Sequence, residues 1–407
     1  MPAYLDHAAT TPLRPEALEA MLPFLGGTFG NPSSPHREGR TARAALDEAH
    51  ERIAAGLGAT AREIVITSGG TEALNLALKG AAWAGKARGH RILTAAVEHH
   101  AVLHPLRHLE KFGFEVVELP VDRYGRVDPD QVEAALTERT TLVAIQHANN
   151  EVGTVQPIAA IAELVRSKGP KGCLLAVDAV ASAGHLPLDV HTLDVDLLAI
   201  AAHKFDGPKG AGALFIRRGT HILSQEQGGT QERYRRAGTE DVVAAVGMGV
   251  AFELAVAERD VVSRRVRKQR DRLKAAVLAV DGIELTGHPR DRLPQILSVV
   301  AAETDGGAVV IKLDLAGISA SVGSACTTGS TDPSHVLTAM GYPDEEARGA
   351  LRFSLGRATT DAEIDEAIEV VPRILGEIRE GTATLAAESA VPPPGLEVMS
   401  GTTGAPG

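Results

Sequence analysis

Lys204 is one of only ten lysines in the chain, and its sequence surroundings are unusual. It follows the apolar run DLLAIAAH and precedes the glycine-rich run FDGPKGAGALF. A lysine in such a loop, at the mouth of a buried strand, suits the formation of a Schiff base with a carbonyl compound. On position alone, a surface lysine in an ordinary strand-to-loop turn is the simpler interpretation.

Asp178 ends the preceding apolar run, CLLAVD, so we expect it near Lys204 at the same edge of a sheet. The two residue types together suit pyridoxal phosphate (PLP), because the protonated ring nitrogen of PLP takes a carboxylate partner and its aldehyde takes an amine. A buried aspartate can also cap a following helix. The pair favours a PLP site over an isolated surface lysine.

The run TSGGTE at 67–72 follows the apolar run EIVIT and opens a helix-length segment. Backbone N–H groups of Gly70 and Thr71, together with the helix dipole, can bind a phosphate without a basic side chain. Segments of this kind are also common as simple helix caps. Neither a Walker A motif nor a GxGxxG fingerprint is present, which argues against nucleoside triphosphates and dinucleotides as ligands.

Four histidines lie close together in and after the run EHHAVLHP. His99 follows a predicted strand and could lie flat over an aromatic cofactor. His100, His104 and His108 are spaced four apart, as a metal ligand set on one helix face would be. Pro105 disturbs the helix start and no carboxylate or cysteine completes the set, so hydrogen-bonded polar groups are the preferred interpretation.

The two cysteines differ in their surroundings. Cys173 belongs to the apolar run CLLAVD, where a thiol serves as a small core residue. Cys326 lies in the small-residue run VGSACTTGST, which should be mobile and leaves the thiol without apolar neighbours. Cys326 is therefore the candidate reactive thiol.

Composition describes an ordinary globular protein of 407 residues, with 44% hydrophobic and 23% charged residues. The net charge of −11 argues against direct binding of nucleic acid or anionic membranes. Two cysteines cannot form a disulfide framework and suit a reducing compartment. The first residues lack the apolar run of a signal peptide, and no run is long enough for a membrane helix. We expect a soluble, cytoplasmic protein without membrane partners.

Apolar and helix-length segments alternate through the first two thirds of the chain, which predicts an α/β domain with a mostly parallel sheet. The predicted strands are 63–67, 91–96, 114–120, 141–146, 173–178, 196–202 and 212–218, and the predicted helices include 71–79, 101–112, 128–136 and 158–168. A proline-free run over 241–280 predicts a helix or helix pair between two domains. The runs IELTG, QILSVVAA, ISASVG and RGALRFSL then predict strands of a smaller α+β domain.

Ten motifs resemble the PLP-dependent cysteine desulfurases of the NifS/IscS type, in the class-V, fold-type I aminotransferase superfamily. The resemblance covers about residues 3–385 and rests on YLDHAATTP, FGNPSSPHREGR, TSGGTEALNLALKG, EHHAVL, HANNEVGTVQPI, VDAVASAGHLPLDV, HKFDGPKGAGAL, RRAGTEDV, SACTTGSTDPSHVLTAMG and LRFSLGR. It implies an α/β fold with a mostly parallel seven-stranded sheet in a large PLP-binding domain (15–255). A smaller α+β domain (1–14 and 256–385) would carry the cysteine loop, and 386–407 would form a flexible tail.

The resemblance also implies roles for individual residues. Lys204 would bind PLP as a Schiff base and move the substrate Cα proton, with help from His99, and Cys326 would receive the sulfur as a persulfide. The implied cofactor-binding residues are Gly70, Thr71, His99, Asn150, Asp178, His203 and Lys204, with Thr239 supplied by the neighbouring subunit of a homodimer. The implied substrate-binding residues are Asn31 and Arg352, the latter as a fork for the L-cysteine carboxylate.

Two positions depart from the family pattern. Ala181 replaces a usual Gln and Ala201 a usual Ser or Thr, so two hydrogen bonds to PLP should be missing, each worth about 0.5–1.5 kcal/mol unless water substitutes. A selenocysteine lyase, another fold-type I PLP enzyme and a non-catalytic desulfurase-like scaffold therefore remain as alternatives.

The resemblance further implies that the persulfide serves acceptor proteins in iron–sulfur cluster assembly, tRNA thiolation or DNA phosphorothioation. We expect no metal in the PLP site, although Cys326 could transiently ligate an iron–sulfur cluster.

Overall fold

The computed structural model describes residues 2–323 and 333–389, with side chains up to residue 379. The strands are β1 (Ala3–Tyr4), β2 (Ile64–Thr67), β3 (Arg91–Ala95), β4 (Glu115–Leu119), β5 (Thr140–Gln146), β6 (Leu174–Asp178), β7 (Leu197–Ala201), β8 (Gly212–Ile216), β9 (Ile283–Leu285), β10 (Ile296–Ala301), β11 (Ile318–Ser319) and β12 (Ala350–Ser354).

Helices separate most of these strands. They are α1 (Pro15–Met21), α2 (Arg37–Leu57), α3 (Gly70–Gly85), α4 (His100–Glu110), α5 (Pro129–Ala135), α6 (Ile158–Ser167), α7 (Gln231–Tyr234), α8 (Val242–Val277), α9 (Gly306–Leu315), α10 (His335–Ala339), α11 (Asp344–Ala347) and α12 (Asp361–Ser389). Short 3₁₀ turns cover Leu22–Leu25, Ala61–Glu63 and Ala202–Lys204. Within the described ranges, no helix combines the length and apolar character needed to cross a membrane.

The central sheet has seven strands in the order β2-β8-β7-β6-β5-β3-β4. Strands β3 to β7 pair in parallel, whereas β8 runs antiparallel to both of its neighbours, β2 and β7. The predicted α/β fold with a mostly parallel seven-stranded sheet is confirmed. Because β2, β3, β5, β6 and β7 point the same way, the segments that follow them emerge at one edge of the sheet.

Both faces of the central sheet are buried, which explains why its strands are apolar runs rather than alternating ones. One face packs against α2, α6 and α8, through residues such as Ile53, Ile161 and Phe252. The other face packs against α3 and α4, through Leu78 and Leu106.

A second, smaller core surrounds an antiparallel sheet of order β12-β10-β9. Helix α8 is a single helix rather than a helix pair, and its second half packs on this core through Leu273 and Val277. Pro372 lies within the neighbouring helix α12. The division into domains at residues 15, 256 and 386 stays a prediction.

The structure differs from the sequence-based elements in several places. The predicted strand ISASVG is reduced to β11, which pairs in parallel with β1, a two-residue strand that the sequence did not indicate. Helix α12 continues to Ser389, into the range assigned to the tail, and residues 390–407 lie outside the described part of the chain. Helix α4 passes through Pro105 rather than being disturbed by it.

Candidate active site

A cavity of about 300 Å³ lies at the edge of the central sheet where its parallel strands end. It contains eight residues that the sequence predicted as site residues: Gly70, Thr71, His99, Asn150, Asp178, His203, Lys204 and Arg352. The remaining lining residues are Ala8, Ala9, Leu74, Ala101, Gln146, Ala148, Val180, Ala181 and Ala201.

Lys204 reaches the cavity from the 3₁₀ turn that directly follows β7. Its Nζ donates hydrogen bonds to the carbonyl oxygens of Ala8 and Ala9, the latter at 3.0 Å. Those two residues follow β1, so the N-terminal segment forms one wall of the cavity. Sequence reasoning missed both alanines, although the motif YLDHAATTP contains them.

Asp178 is the last residue of β6 and pairs with Gln146 in β5. Its Oδ1 accepts a hydrogen bond from the backbone N–H of Val180 at 2.9 Å. Burial raises the pKa of Asp178 to about 6, while that hydrogen bond and the positive charge of Lys204 act in the opposite direction. A cation placed against Asp178 would therefore favour its ionised form.

His99 is the N-cap residue of α4, and its Nδ1 accepts a hydrogen bond from the backbone N–H of Ala101 at 3.0 Å. This bond fixes the ring and assigns the ring hydrogen to Nε2. Burial and, to a smaller extent, the positive charge of Lys204 lower the pKa of His99 to about 4. The imidazole is therefore neutral at pH 7.

Glu98, directly before His99, is fully buried beside the cavity. Its Oε1 accepts a hydrogen bond from the backbone N–H of Gln146 at 2.8 Å, and its Oε2 has no partner among the described residues. Burial raises the pKa of Glu98 well above its usual value, and the negative charge of Asp178 adds to this effect. Sequence reasoning missed Glu98, although it opens the motif EHHAVL.

The N-terminus of α3 forms the opposite end of the cavity. Gly69 precedes it at φ +153°, a conformation that favours glycine, and it has no side chain to cap the first N–H groups of the helix. A β-carbon on Gly70 would lie 2.7 Å from Val180 Cγ2, so the backbone there approaches the β6 end closely. His203 lies nearby, with its Nδ1 3.3 Å from Thr10 Oγ1, and burial lowers its pKa to about 4.

Arg352 enters the cavity from β12, in the smaller sheet, and is 1% exposed. Its Nη2 lies 3.0 Å from Asp6 Oδ1, and its Nη1 donates a hydrogen bond to the carbonyl oxygen of Asn150 at 3.0 Å. The Nε of Arg352 is buried and has no partner within the described ranges. Sequence reasoning missed Asp6, which the motif YLDHAATTP also contains.

The chain matches the family model of class-V aminotransferases over residues 3–367. The chain belongs to the class-V aminotransferase family. It is similar to cysteine desulfurase IscS of Dictyoglomus turgidum, with 47% identity over 377 residues that cover 92% of this chain and 95% of that relative.

Two solved structures support the same assignment and the fold-type I architecture. A NifS-like protein superposes with a TM-score of 0.87 and 36% identity, covering 93% of this chain and all of that one. SspA in complex with cysteine superposes with a TM-score of 0.77 and 33% identity, covering 88% of this chain and 100% of that one.

Two predicted residues of this class-V family member, Asn31 and Thr239, do not line the cavity. Asn31 is exposed, and its Oδ1 accepts a hydrogen bond from the N–H of Ser33 at 2.9 Å. Thr239 is exposed as well. Cys326 lies outside the described residues, whereas Cys173 is buried in the core.

The histidines that suggested a metal set do not form one. The rings of His100 and His104 stack at 4.7 Å, and His335 stacks on the other side of His100 at the same distance. His108 instead contacts Phe112. Among the residues that the structure describes, no group of three or more His, Cys, Asp or Glu side chains could hold a metal ion.

Proposed function

We propose that this protein is a PLP-dependent cysteine desulfurase, which converts L-cysteine to L-alanine and transfers the sulfur to Cys326 as a persulfide. The observation that carries the proposal is the convergence of Lys204, Asp178, His99 and Arg352 on one cavity. Relatives named cysteine desulfurase, which this chain matches over 92% of its length, support the reaction. The cysteine-bound SspA structure supports L-cysteine as the substrate.

The cavity residues fit PLP at each of its functional groups. The first N–H groups of α3, at Gly70 and Thr71, suit the phosphate because no side chain caps that helix end. Asp178 suits the ring nitrogen, because a protonated nitrogen supplies the cation that a buried carboxylate needs. Lys204 supplies the amine for the Schiff base.

We propose further cofactor contacts from the resemblance to cysteine desulfurases. Asn150 would contact the ring hydroxyl, His203 the phosphate, and Thr239 of the neighbouring subunit the same phosphate. Ala181 and Ala201 line the cavity without polar side-chain atoms. The affinity for PLP is therefore expected to be lower than that of a relative with hydrogen-bonding side chains at both positions.

PLP, when bound, supplies an electron sink for the electron pair that a breaking bond at the substrate Cα releases. Lys204 takes the Cα proton, because its amine lies in the same cavity as Arg352, the proposed ligand of the substrate carboxylate. The Nδ1 of His99 is occupied by Ala101, so Nε2 is the ring atom that assists this proton transfer. Arg352 binds the substrate carboxylate through its guanidinium group, which Asp6 and Asn150 orient.

The sulfur transfer follows from the chemistry of the Cys326 thiolate. The thiolate attacks the substrate sulfur, an S–S bond forms, and the bond between that sulfur and Cβ breaks. Cβ takes up a hydrogen, so L-cysteine and the thiol together yield L-alanine and the persulfide without an external oxidant. The persulfide then passes its outer sulfur to an acceptor protein.

The remaining predictions concern partners and location. We propose a homodimer that acts in the cytoplasm and delivers sulfur to an iron–sulfur scaffold or to a thiolation or phosphorothioation enzyme. The net charge of −11 supports a protein acceptor rather than direct binding of nucleic acid.

The proposal is tested with purified protein, added PLP and L-cysteine, and dithiothreitol, which reduces the persulfide, releases its outer sulfur as sulfide and is oxidised to its disulfide. We expect alanine and sulfide in equal amounts. Cys326→Ala should retain the visible absorption of the Lys204 Schiff base and lose turnover. Cys173→Ala is the matched control and should turn over normally, because Cys173 is buried and burial raises the pKa of its thiol to about 12. Unchanged sulfide release by Cys326→Ala would contradict the role of Cys326.

A further inference from the structure

The carboxylate of Glu151 lies close to described residues on both sides of positions 324–332. Ser334 Oγ donates a hydrogen bond to Glu151 Oε2 at 2.5 Å. A β-carbon built on Gly323 would lie 3.0 Å from the same oxygen. Glu151 is 5% exposed and Ser334 is 2% exposed, so water does not compete strongly for this contact. One buried oxygen therefore accepts a hydrogen bond from Ser334 and lies close to Gly323.

Glu151 is also part of the turn that forms one wall of the cavity. Its backbone N–H donates a hydrogen bond to Asn149 Oδ1 at 2.8 Å. The next residue back, Asn150, lines the cavity and accepts a hydrogen bond from Arg352. A displacement of the Glu151 carboxylate would therefore change where Gly323 and Ser334 lie relative to Arg352, the proposed substrate-binding arginine.

Other contacts hold each flank separately. Ser321 and Arg352 exchange two backbone hydrogen bonds, at 2.7 and 3.1 Å. His335 Nε2 donates to the carbonyl oxygen of Glu98 at 2.9 Å. Each of these bonds fixes one flank to the cavity wall, whereas the Glu151 carboxylate binds Ser334 on one flank and lies close to Gly323 on the other.

We propose that Glu151 is a positioning residue for sulfur transfer: its carboxylate fixes Gly323 and Ser334, which flank Cys326 in the sequence, relative to Asn150 and Arg352. This inference rests on the proposed desulfurase function. A thiolate must approach the substrate sulfur closely and along a defined direction, so the placement of the two flanks affects the rate of the attack. It does not affect how Arg352 binds the substrate carboxylate.

The test compares Glu151→Ala, Glu151→Gln and Ser334→Ala as PLP-loaded enzymes, with L-cysteine and dithiothreitol. Because a buried hydrogen bond from Ser334 is lost, we expect Glu151→Ala to lower kcat about tenfold while KM for L-cysteine changes less than about twofold. Glu151→Gln should recover most of kcat, since its amide oxygen can accept the bond from Ser334. Ser334→Ala should resemble Glu151→Ala, and the double variant should lose no more than either alone.

Two further measurements separate positioning from a general loss of structure. The visible absorption of bound PLP should be the same in all variants, and the rate at which iodoacetamide alkylates Cys326, followed by mass spectrometry, should differ between Glu151→Ala and wild type. Thr360→Ala is the matched control. It removes a hydroxyl that donates to Glu363 Oε2 at 2.8 Å, before α12, and should leave kcat and the alkylation rate unchanged.

Several results would overturn the inference. The first is a wild-type kcat in both Glu151→Ala and Ser334→Ala. The second is a loss of bound PLP in these variants that parallels their loss of kcat. The third is a double variant whose loss of kcat equals the combined losses of the two single variants. If Glu151→Ala does not fold, Ser334→Ala tests the same hydrogen bond from its other end. Failure of the proposed function is distinguishable, because wild-type enzyme would then form no alanine.

Discussion

Asp178 is a buried acid whose protonation depends on what lies opposite it. It is 8% exposed, and burial is the largest cause that raises its pKa to about 6. The carboxyl of an aspartate in an unfolded chain titrates near pH 4. Without PLP, the folded protein therefore binds this proton more tightly than the unfolded chain does.

This difference predicts a pH-dependent effect of Asp178→Asn in the PLP-free protein. Below about pH 4 the carboxyl is protonated in both states and has no effect on the free energy of unfolding. Between about pH 4 and pH 6 the unfolded chain loses this proton while the folded protein keeps it, so the folded state is progressively destabilised. The effect levels off above pH 6, at roughly 3 kcal/mol. We expect the PLP-free Asn variant to have a higher Tm than wild type at pH 7.5, and the difference to shrink towards pH 5.

Asp189→Asn serves as the control, because the ionised carboxylate of Asp189 has the opposite effect on the stability of the folded state. Asp189 is exposed, and hydrogen bonding by the backbone N–H of Thr192 lowers its pKa. Its ionised form therefore stabilises the folded state at neutral pH, so its replacement should not raise Tm at pH 7.5. A pH-independent difference between wild type and Asp178→Asn, in thermal unfolding between pH 5 and 8, would contradict the account of Asp178.

At the scale of an element, the start of α3 forms one end of the cavity. Gly70→Ala would bring a β-carbon within 2.7 Å of Val180 Cγ2, which is closer than carbon atoms pack. Either the helix end or Val180 must shift, and the first N–H groups of α3 move with it. We expect the dissociation constant for PLP to rise about tenfold, the effect of one or two weakened hydrogen bonds. Titration of PLP-free protein by its visible absorption measures this.

Gly376→Ala is the matched control for that prediction. Gly376 also lies in a helix, α12, and a β-carbon there would meet nothing within 4 Å. The substitution should leave PLP binding unchanged and stabilise the protein slightly, because alanine favours the helix. Equal PLP affinities for Gly70→Ala and Gly376→Ala would refute the close-approach argument.

The central strands could be predicted from the sequence because both faces of the sheet are covered, which makes each strand a continuous apolar run. The order of the strands could not, and neither could the antiparallel direction of β8, whose residues Gly212–Ile216 are as apolar as those of its parallel neighbours. Which strands pair, and in which direction, depends on contacts between distant parts of the chain, and the composition of a strand does not show them. The two-residue strand β1 is too short for any periodicity to appear.

Some of the site residues could likewise be predicted from the sequence, and others could not. Lys204 and Asp178 were predictable because each follows an apolar run, and parallel strands end at one edge. Asp6, Glu98 and Glu151 were not, since each acts through a contact with a residue at least 48 positions away, such as Gln146 or Ser334. Only folding brings these carboxyl groups to their partners.

At the scale of the whole molecule, one chain supplies most of the cavity but not all of the predicted site. Asn31 and Thr239 are exposed, although the sequence assigns them to substrate and phosphate. Large apolar side chains are exposed in the same segments: Leu25 at 64%, Phe29 at 79% and Tyr234 at 74%. Exposed apolar side chains beside predicted site residues fit the proposed homodimer, in which a second copy covers them.

Complementation between two inactive subunits tests whether Thr239 acts across the dimer. Lys204→Ala removes the Schiff base, and Thr239→Glu places a carboxylate against the phosphate, so each variant alone should be inactive. If Thr239 serves the partner's site, a heterodimer of the two variants has one site with both defects and one with none. Purified through two different affinity tags, it should have about half the wild-type turnover. If Thr239 instead served its own subunit, both sites would be defective and the heterodimer would be inactive.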